Sequence, residues 1–128
     1  MLLDVCLAKI HRATVTGADL DYEGSVTIDG LLIDAAGLLP GQAVLVNSLA
    51  TGVSWKTYIV RGEEGKGEII LNGPPAHLFK KGDMVIILSY VWVSEEDAKK
   101  MPHPTTVFVD DKNKITKVRK GWRPEWAL

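Results

Sequence analysis

The amino-acid sequence predicts a mainly β protein, a small barrel with a few short helices. Short β-rich runs recur at spacings of roughly ten residues, turn residues separate them, and helical periodicity is scarce. The 128 residues carry 46% hydrophobic and 24% charged side chains, enough for one ordinary core. With no internal repeat or linker, residues 1–128 read as one domain.

Taken in order, Leu2–Ala8 and Ala13–Val15 read as strands, followed by Ser25–Asp29. Leu31–Ala36 is a short helix that stops at Gly37 and Pro40. Ala43–Ser48 and Ser54–Val60 flank a hairpin turn at Ala50-Thr51-Gly52. Glu68–Leu71 is the next strand, and Pro75–Phe79 forms one helical turn at most, closed by Lys80-Lys81-Gly82-Asp83. Met84–Val93 is a long uncharged strand. Ser94 caps a helix whose first turn is Glu95-Glu96-Asp97 and which must end before Pro102. Thr105–Val109 and Ile115–Val118 flank the turn Asp110–Lys114, and residues 119–128 read as an extended tail that packs through Trp122 and Trp126.

Composition excludes several classes of function. A net charge of −1 gives no general attraction to nucleic acid or to acidic membranes. Met84–Val93 is the longest uncharged apolar run, roughly half of what a membrane-spanning helix needs. The single cysteine, Cys6, permits no intramolecular disulfide, and no basic segment precedes an apolar leader, so a cytoplasmic location is expected. His77 and His103 lie far apart without ligand partners at metal-binding spacing, so no metal is expected. Lys112, Lys114, Lys117, Arg119, Lys120 and Arg123 make a basic run beside Trp122, best read as solvated surface.

The informative segment ends at Gly24-Ser25. Most Gly-Ser pairs are turns. The pair also suits backbone self-cleavage, in which the serine hydroxyl attacks the preceding carbonyl and converts the amide to an ester. Glycine removes the side chain that would hinder attack and tolerates strained φ/ψ. Elimination from the ester leaves dehydroalanine, which hydrolyses to a pyruvoyl group and ammonia.

Around that pair stand Lys9, His11 and Tyr22, with Thr57-Tyr58, Asn72-Gly73, Leu31–Leu39 and Gly82-Asp83-Met84-Val85-Ile86-Ile87 farther on. In these residues the chain resembles the pyruvoyl-dependent aspartate 1-decarboxylases, from the N-terminus to about residue 118 without large gaps. The resemblance implies a double-psi β-barrel, a homotetramer with active sites between subunits, and a covalent pyruvoyl group derived from Ser25. It implies cleavage into chains of residues 1–24 and 25–128 and conversion of L-aspartate to β-alanine and CO2, the β-alanine supply for pantothenate. The ketone would join the substrate amine as a Schiff base and draw electrons from the Cα–carboxylate bond.

Residue roles follow from the same resemblance. Tyr58 is the proton donor, a phenol with a reference pKa of about 10. Thr57 assists processing through a hydrogen bond to the Gly24 carbonyl, and also contacts substrate. Lys9 binds a substrate carboxylate, His11, Asn72 and Gly73 line the site, and Tyr22 shapes the cleavage loop. Without the resemblance, Tyr58 would read as a strand tyrosine with its ring packed and its hydroxyl wet, Lys9 as a solvated strand-end lysine, and His11 as a surface or half-buried imidazole.

Two departures bear on substrate. Ser54 stands where the family has a carboxylate-binding arginine, and truncating such a contact costs roughly 2–5 kcal/mol, tens- to thousands-fold. Lys56 is a candidate to compensate, because residues 54, 56 and 58 of a regular strand share a face. Pro74-Pro75 replaces small alanines and removes two backbone donors. Two alternatives therefore stay open: the same chemistry on glutamate or a substituted aspartate, and an unprocessed, non-catalytic barrel acting as a binding module. Whether processing is spontaneous or needs a maturation factor is also open.

Overall fold

The structure, a computed structural model, describes residues 1–101 and 104–121. Nine strands form one mixed sheet: β1 Leu2–Thr14, β2 Gly17–Asp19, β3 Ser25–Asp29, β4 Ala43–Ser48, β5 Ser54–Gly62, β6 Ile69–Asn72, β7 Met84–Ser94, β8 Thr105–Val109 and β9 Ile115–Lys120. The order across the sheet is β2-β6-β3-β5-β4-β7-β1-β8-β9. Helix α1 spans Gly30–Ala36, α2 spans Glu95–Lys100, and Pro74–His77 is a 3-10 turn. The mainly β, barrel-like architecture expected from the sequence is the one adopted.

The core is built by alternation. Val44 and Val46 of β4, Val85 and Ile87 of β7, and Ile10 and Val107 point inward and are buried, while their neighbours face out. Each such Val or Ile contributes roughly 1.5–3 kcal/mol of burial. Two expected strands, Leu2–Ala8 and Ala13–Val15, are one strand with two register shifts against β7, between Cys6 and Ala8 and between Ile10 and Ala13. The second shift inserts an extra β1 residue, so Ile10 and Ala13 both reach the core despite their odd spacing. Arg12 takes up the bend with φ of 61°.

Helix α1 begins at Asp29, whose carboxylate accepts from the Leu31, Gly65 and Gly67 N–H groups. Burial opposes its ionisation, but those donors outweigh burial and hold the carboxyl below its usual range. Gly37 closes the helix with φ of 72°. Buried Asn113 ties the β8–β9 hairpin to the end of β1, donating to Thr14 O and Gly67 O and accepting from Thr14 N.

Strand β2 was not expected, because Gly17-Ala18-Asp19 carries no apolar pattern. It exists through its parallel pairing with β6, reinforced by Thr16 N–H to Ile69 O and Gly73 N–H to Asp19 O. The expected tail begins too early: Arg119 and Lys120 belong to β9, paired with Thr106 and Thr105. His103, Trp122, Arg123 and Trp126 lie outside the described residues. No helix among the described residues is long and apolar enough to cross a membrane.

Candidate active site

Ser25 is the first residue of β3 and 0% exposed. Antiparallel pairing sets it directly opposite Asn72 of β6, so the two side chains share a face. The Asn72 amide donates to Ser25 Oγ at 2.9 Å and to Thr27 Oγ1 at 3.0 Å. Ser25 Oγ in turn donates to the Glu23 carbonyl at 3.3 Å. The hydroxyl is therefore held at both ends, in a site without access for bulk water.

The loop before Ser25 is laid against Gly73. A Cβ on Gly73 would stand 2.9 Å from Gly24 Cα and 3.0 Å from Gly24 N, and Gly73 has φ of 76°. Both facts demand glycine at 73. At Gly24 the demand is different: φ is not in the left-handed region, and a Cβ would meet only Pro74 Cδ, at 3.9 Å. The uncut backbone thus puts no steric requirement on Gly24, and any need for glycine there arises during attack on its carbonyl. Pro74 and Pro75 start the 3-10 turn, where backbone N–H groups lack partners within the turn, so they remove no hydrogen bond from it.

Strand β5 runs parallel to β3, with Val26 opposite Ile59, which sets Tyr58 beside Ser25. Tyr58 is 41% exposed. Ser54, Lys56 and Tyr58 are exposed while Trp55, Thr57 and Ile59 are more buried, so the first three share the outer face as expected. Thr57 lies on the other face, opposite buried Val44. Among the described residues its hydroxyl makes no hydrogen bond to Gly24, unlike the contact the resemblance implies.

Cross-strand registers align the remaining groups. Lys56 pairs with Leu45, Leu45 with Leu88, and Leu88 with Lys9, making one transverse row on the outer face. Tyr90, Trp92 and Asp4 join Lys56, Leu45 and Leu88 around a cavity on that face. In the adjacent row Ser54 pairs with Asn47, and the Ser54 hydroxyl donates to Asn47 Oδ1 at 2.6 Å. His11 sits across from Phe108, its ring edge-on at 5.5 Å. Burial, then the positive charges of Lys9, Arg12 and Arg119, push the His11 pKa below its usual value, so the ring is neutral near pH 7.

Ser25, Asn72, Gly24, Gly73 and Tyr58 thus come together, while Lys9 and His11 do not join them. Lys9 on β1 is separated from β3 by β7, β4 and β5, roughly 19 Å along the sheet at about 4.8 Å per strand. Arg119, assigned to the tail by its sequence context, stands in the Lys9 row. Only its pairing to β8 brings it there. Among the described residues no group of three or more His, Cys, Asp or Glu side chains could hold a metal ion.

A buried serine behind a glycine, with a phenol beside it and cations farther along the same sheet, is an arrangement compatible with taking carbon dioxide from an amino acid, and the relatives place the chain among the carboxy-lyases. Residues 1–116 match the aspartate decarboxylase family. The chain is 51% identical over 120 residues to the aspartate 1-decarboxylase of Bdellovibrio bacteriovorus, covering 94% of each. It is 50% identical to that of Dehalococcoides mccartyi, over 89% of this chain and 91% of the relative. It is 48% identical to that of Caldicellulosiruptor saccharolyticus, over 92% and 91%. The chain belongs to the aspartate decarboxylase family.

Proposed function

We propose that the chain is a single decarboxylase domain that cuts itself between Gly24 and Ser25 and converts L-aspartate to β-alanine and CO2. The observation that carries this reading is the hydroxyl of Ser25, buried and held by the Asn72 amide at 2.9 Å beneath a loop pressed onto Gly73. Attack of Ser25 Oγ on the Gly24 carbonyl carbon forms an ester as the amide C–N bond breaks, and the amine keeps the proton from the hydroxyl. Loss of the Ser25 Cα proton expels the Gly24 carboxylate from Cβ. Water then converts the enamine to a ketone and releases ammonia.

The pocket suits the resulting pyruvoyl group, because the Asn72 amide that donates to Ser25 Oγ can donate to another oxygen there. A ketone at residue 25 supplies the electron sink for decarboxylation that side chains lack. Tyr58, beside Ser25, is the acid that returns a proton to the substrate carbon. Asn72 and Gly73 shape the floor, while Thr57, on the face of β5 opposite to Tyr58, needs a change in the strand to reach the site.

The distance between Lys9 and Ser25 supports a homotetramer with active sites between subunits. One four-carbon amino acid cannot span the outer sheet from β3 to β1, so a second copy must bring its Lys9 and His11 to the Ser25 of the first. A cytoplasmic supply of β-alanine for pantothenate belongs to this reading. The relatives above are named for aspartate, and nothing in them favours glutamate, a substituted aspartate or a non-catalytic barrel.

Incubation with L-aspartate, L-glutamate and 3-methylaspartate, following CO2 and amine product, tests the reading. β-Alanine from aspartate is expected, together with inactivation by cyanoborohydride, which reduces imines and spares ketones, only when aspartate is present. Absence of CO2 from aspartate by a fully cleaved protein would overturn the substrate. Persistence of uncut chain with an added cell extract would overturn the processing, whereas cleavage only with the extract would identify a maturation factor.

A further inference from the structure

Two buried polar atoms on the outer face have no hydrogen-bond partner among the described residues: Thr106 Oγ1 and Arg119 Nε. Thr106 is 2% exposed, so its hydroxyl is closed off from solvent as well. Leaving such groups unpaired costs roughly 1–3 kcal/mol each, a cost native folds usually avoid by pairing them with protein, water or ligand. The two residues face each other across β8 and β9, and Thr106 faces Lys9 across β8 and β1. Lys9, Thr106 and Arg119 therefore form one transverse row: ammonium, hydroxyl, guanidinium.

The row lacks counter-ions. Among the described residues, neither Lys9 nor Arg119 is in an ion pair; the described pairs join Arg61, Lys66, Lys99 and Lys100 to carboxylates elsewhere. The guanidinium carbon of Arg119 lies 5.3 Å from the Phe108 ring centre, which fixes the planar group in place. Phe108 is also the residue against which His11 packs. Burial first, and then the positive charges of Lys9, Arg12 and Arg119, lower the His11 pKa, so the field of this row reaches His11.

We propose that Arg119, together with Lys9 and the Thr106 hydroxyl, binds the side-chain carboxylate of the substrate, a dicarboxylic amino acid. The inference rests on the decarboxylase reading above and names a residue for it. Arginine suits the task because its planar fork matches a carboxylate and its Nε is an available donor. The side-chain carboxylate is the one bound. Strong pairing of the α-carboxylate would stabilise the state that must lose CO2 and so oppose the reaction. Arg119 then provides on β9 the guanidinium that Ser54 does not provide on β5.

The test uses Arg119→Gln in the processed protein. Cleavage, followed by intact mass, should be complete, and kcat should stay within about threefold. KM for L-aspartate should rise on the order of 10- to 100-fold, with partial recovery in Arg119→Lys. An unchanged KM in cleaved Arg119→Gln would overturn the proposal. A second measurement needs no variant: succinate, which has no amine, should slow modification of Arg119 by phenylglyoxal several-fold in the wild-type protein, read by peptide mass. Equal modification with and without succinate would also overturn it. A wild-type protein protected by succinate yet inactive on aspartate would instead count against the reaction and leave the carboxylate site standing.

Discussion

The two halves of the outer face are built on opposite terms. Around Ser25, the buried polar groups are partnered within the chain: Asn72 with Ser25 and Thr27, Ser25 with Glu23, Gly73 with Asp19. Around Lys9, the sheet presents cations without counter-ions among the described residues, Thr106 and Arg119 atoms unpaired among them too, and exposed Tyr90 and Trp92. A step that occurs within one chain, such as self-cleavage, can be fully preorganised by that chain. On the proposed reading, a surface that receives substrate and a second copy stays unsatisfied until they arrive.

The contrast can be broken most severely at Ser25. Ser25→Ala removes the nucleophile and should abolish both cleavage and CO2 release, seen by intact mass and a decarboxylase assay. Gly73→Ala comes next. Its Cβ would overlap the Gly24 backbone and its φ of 76° is costly for alanine. Cleavage should slow by at least about 100-fold while the thermal midpoint shows a fold retained. Asn72→Ala deletes the donor on Ser25 Oγ; a loss of about 1–3 kcal/mol predicts cleavage slowed roughly 5- to 150-fold.

Changes on the open half should spare cleavage and act on substrate. Ser54→Arg should alter kcat/KM for aspartate by less than about fivefold, because a guanidinium already stands in the Lys9 row. A sharp rise would show that the missing arginine limits turnover, and compensation would then be absent at both Lys56 and Arg119. The smallest effect concerns His11. Its depressed pKa contributes stability that is present above its unfolded value of about 6.5 and lost as pH falls through the lower folded value. His11→Gln should flatten that part of an acid-side thermal-stability profile while leaving the midpoint at pH 8 nearly unchanged.

How legible each half was in the sequence follows from the same contrast. Gly24-Ser25, Tyr58 and Asn72-Gly73 sit in motifs, and the outward face of Ser54, Lys56 and Tyr58 follows from the period of a strand. The same period puts Thr57 on the opposite face from Tyr58, a consequence the motif resemblance obscured. Arg119 was not legible as a site residue. Its strand exists because β9 pairs with β8, and neighbouring lysines gave it the look of a solvated run. Strand β2 and the continuity of β1 were hidden for a related reason, since pairing and bulges rather than local pattern create them. Long-range register, invisible in a single strand, assembles the carboxylate-binding row.

The central claim is that Ser25 is consumed to make an electrophile, and intact mass after prolonged incubation of the purified protein tests it most directly. The account predicts a fragment of residues 1–24 ending in a free glycine carboxylate, and a fragment of residues 25–128 with a ketone in place of its amino terminus, lighter than the serine-initiated chain. A single species that stays uncleaved both alone and with added cell extract, or a large fragment that begins with an unmodified serine, would contradict it.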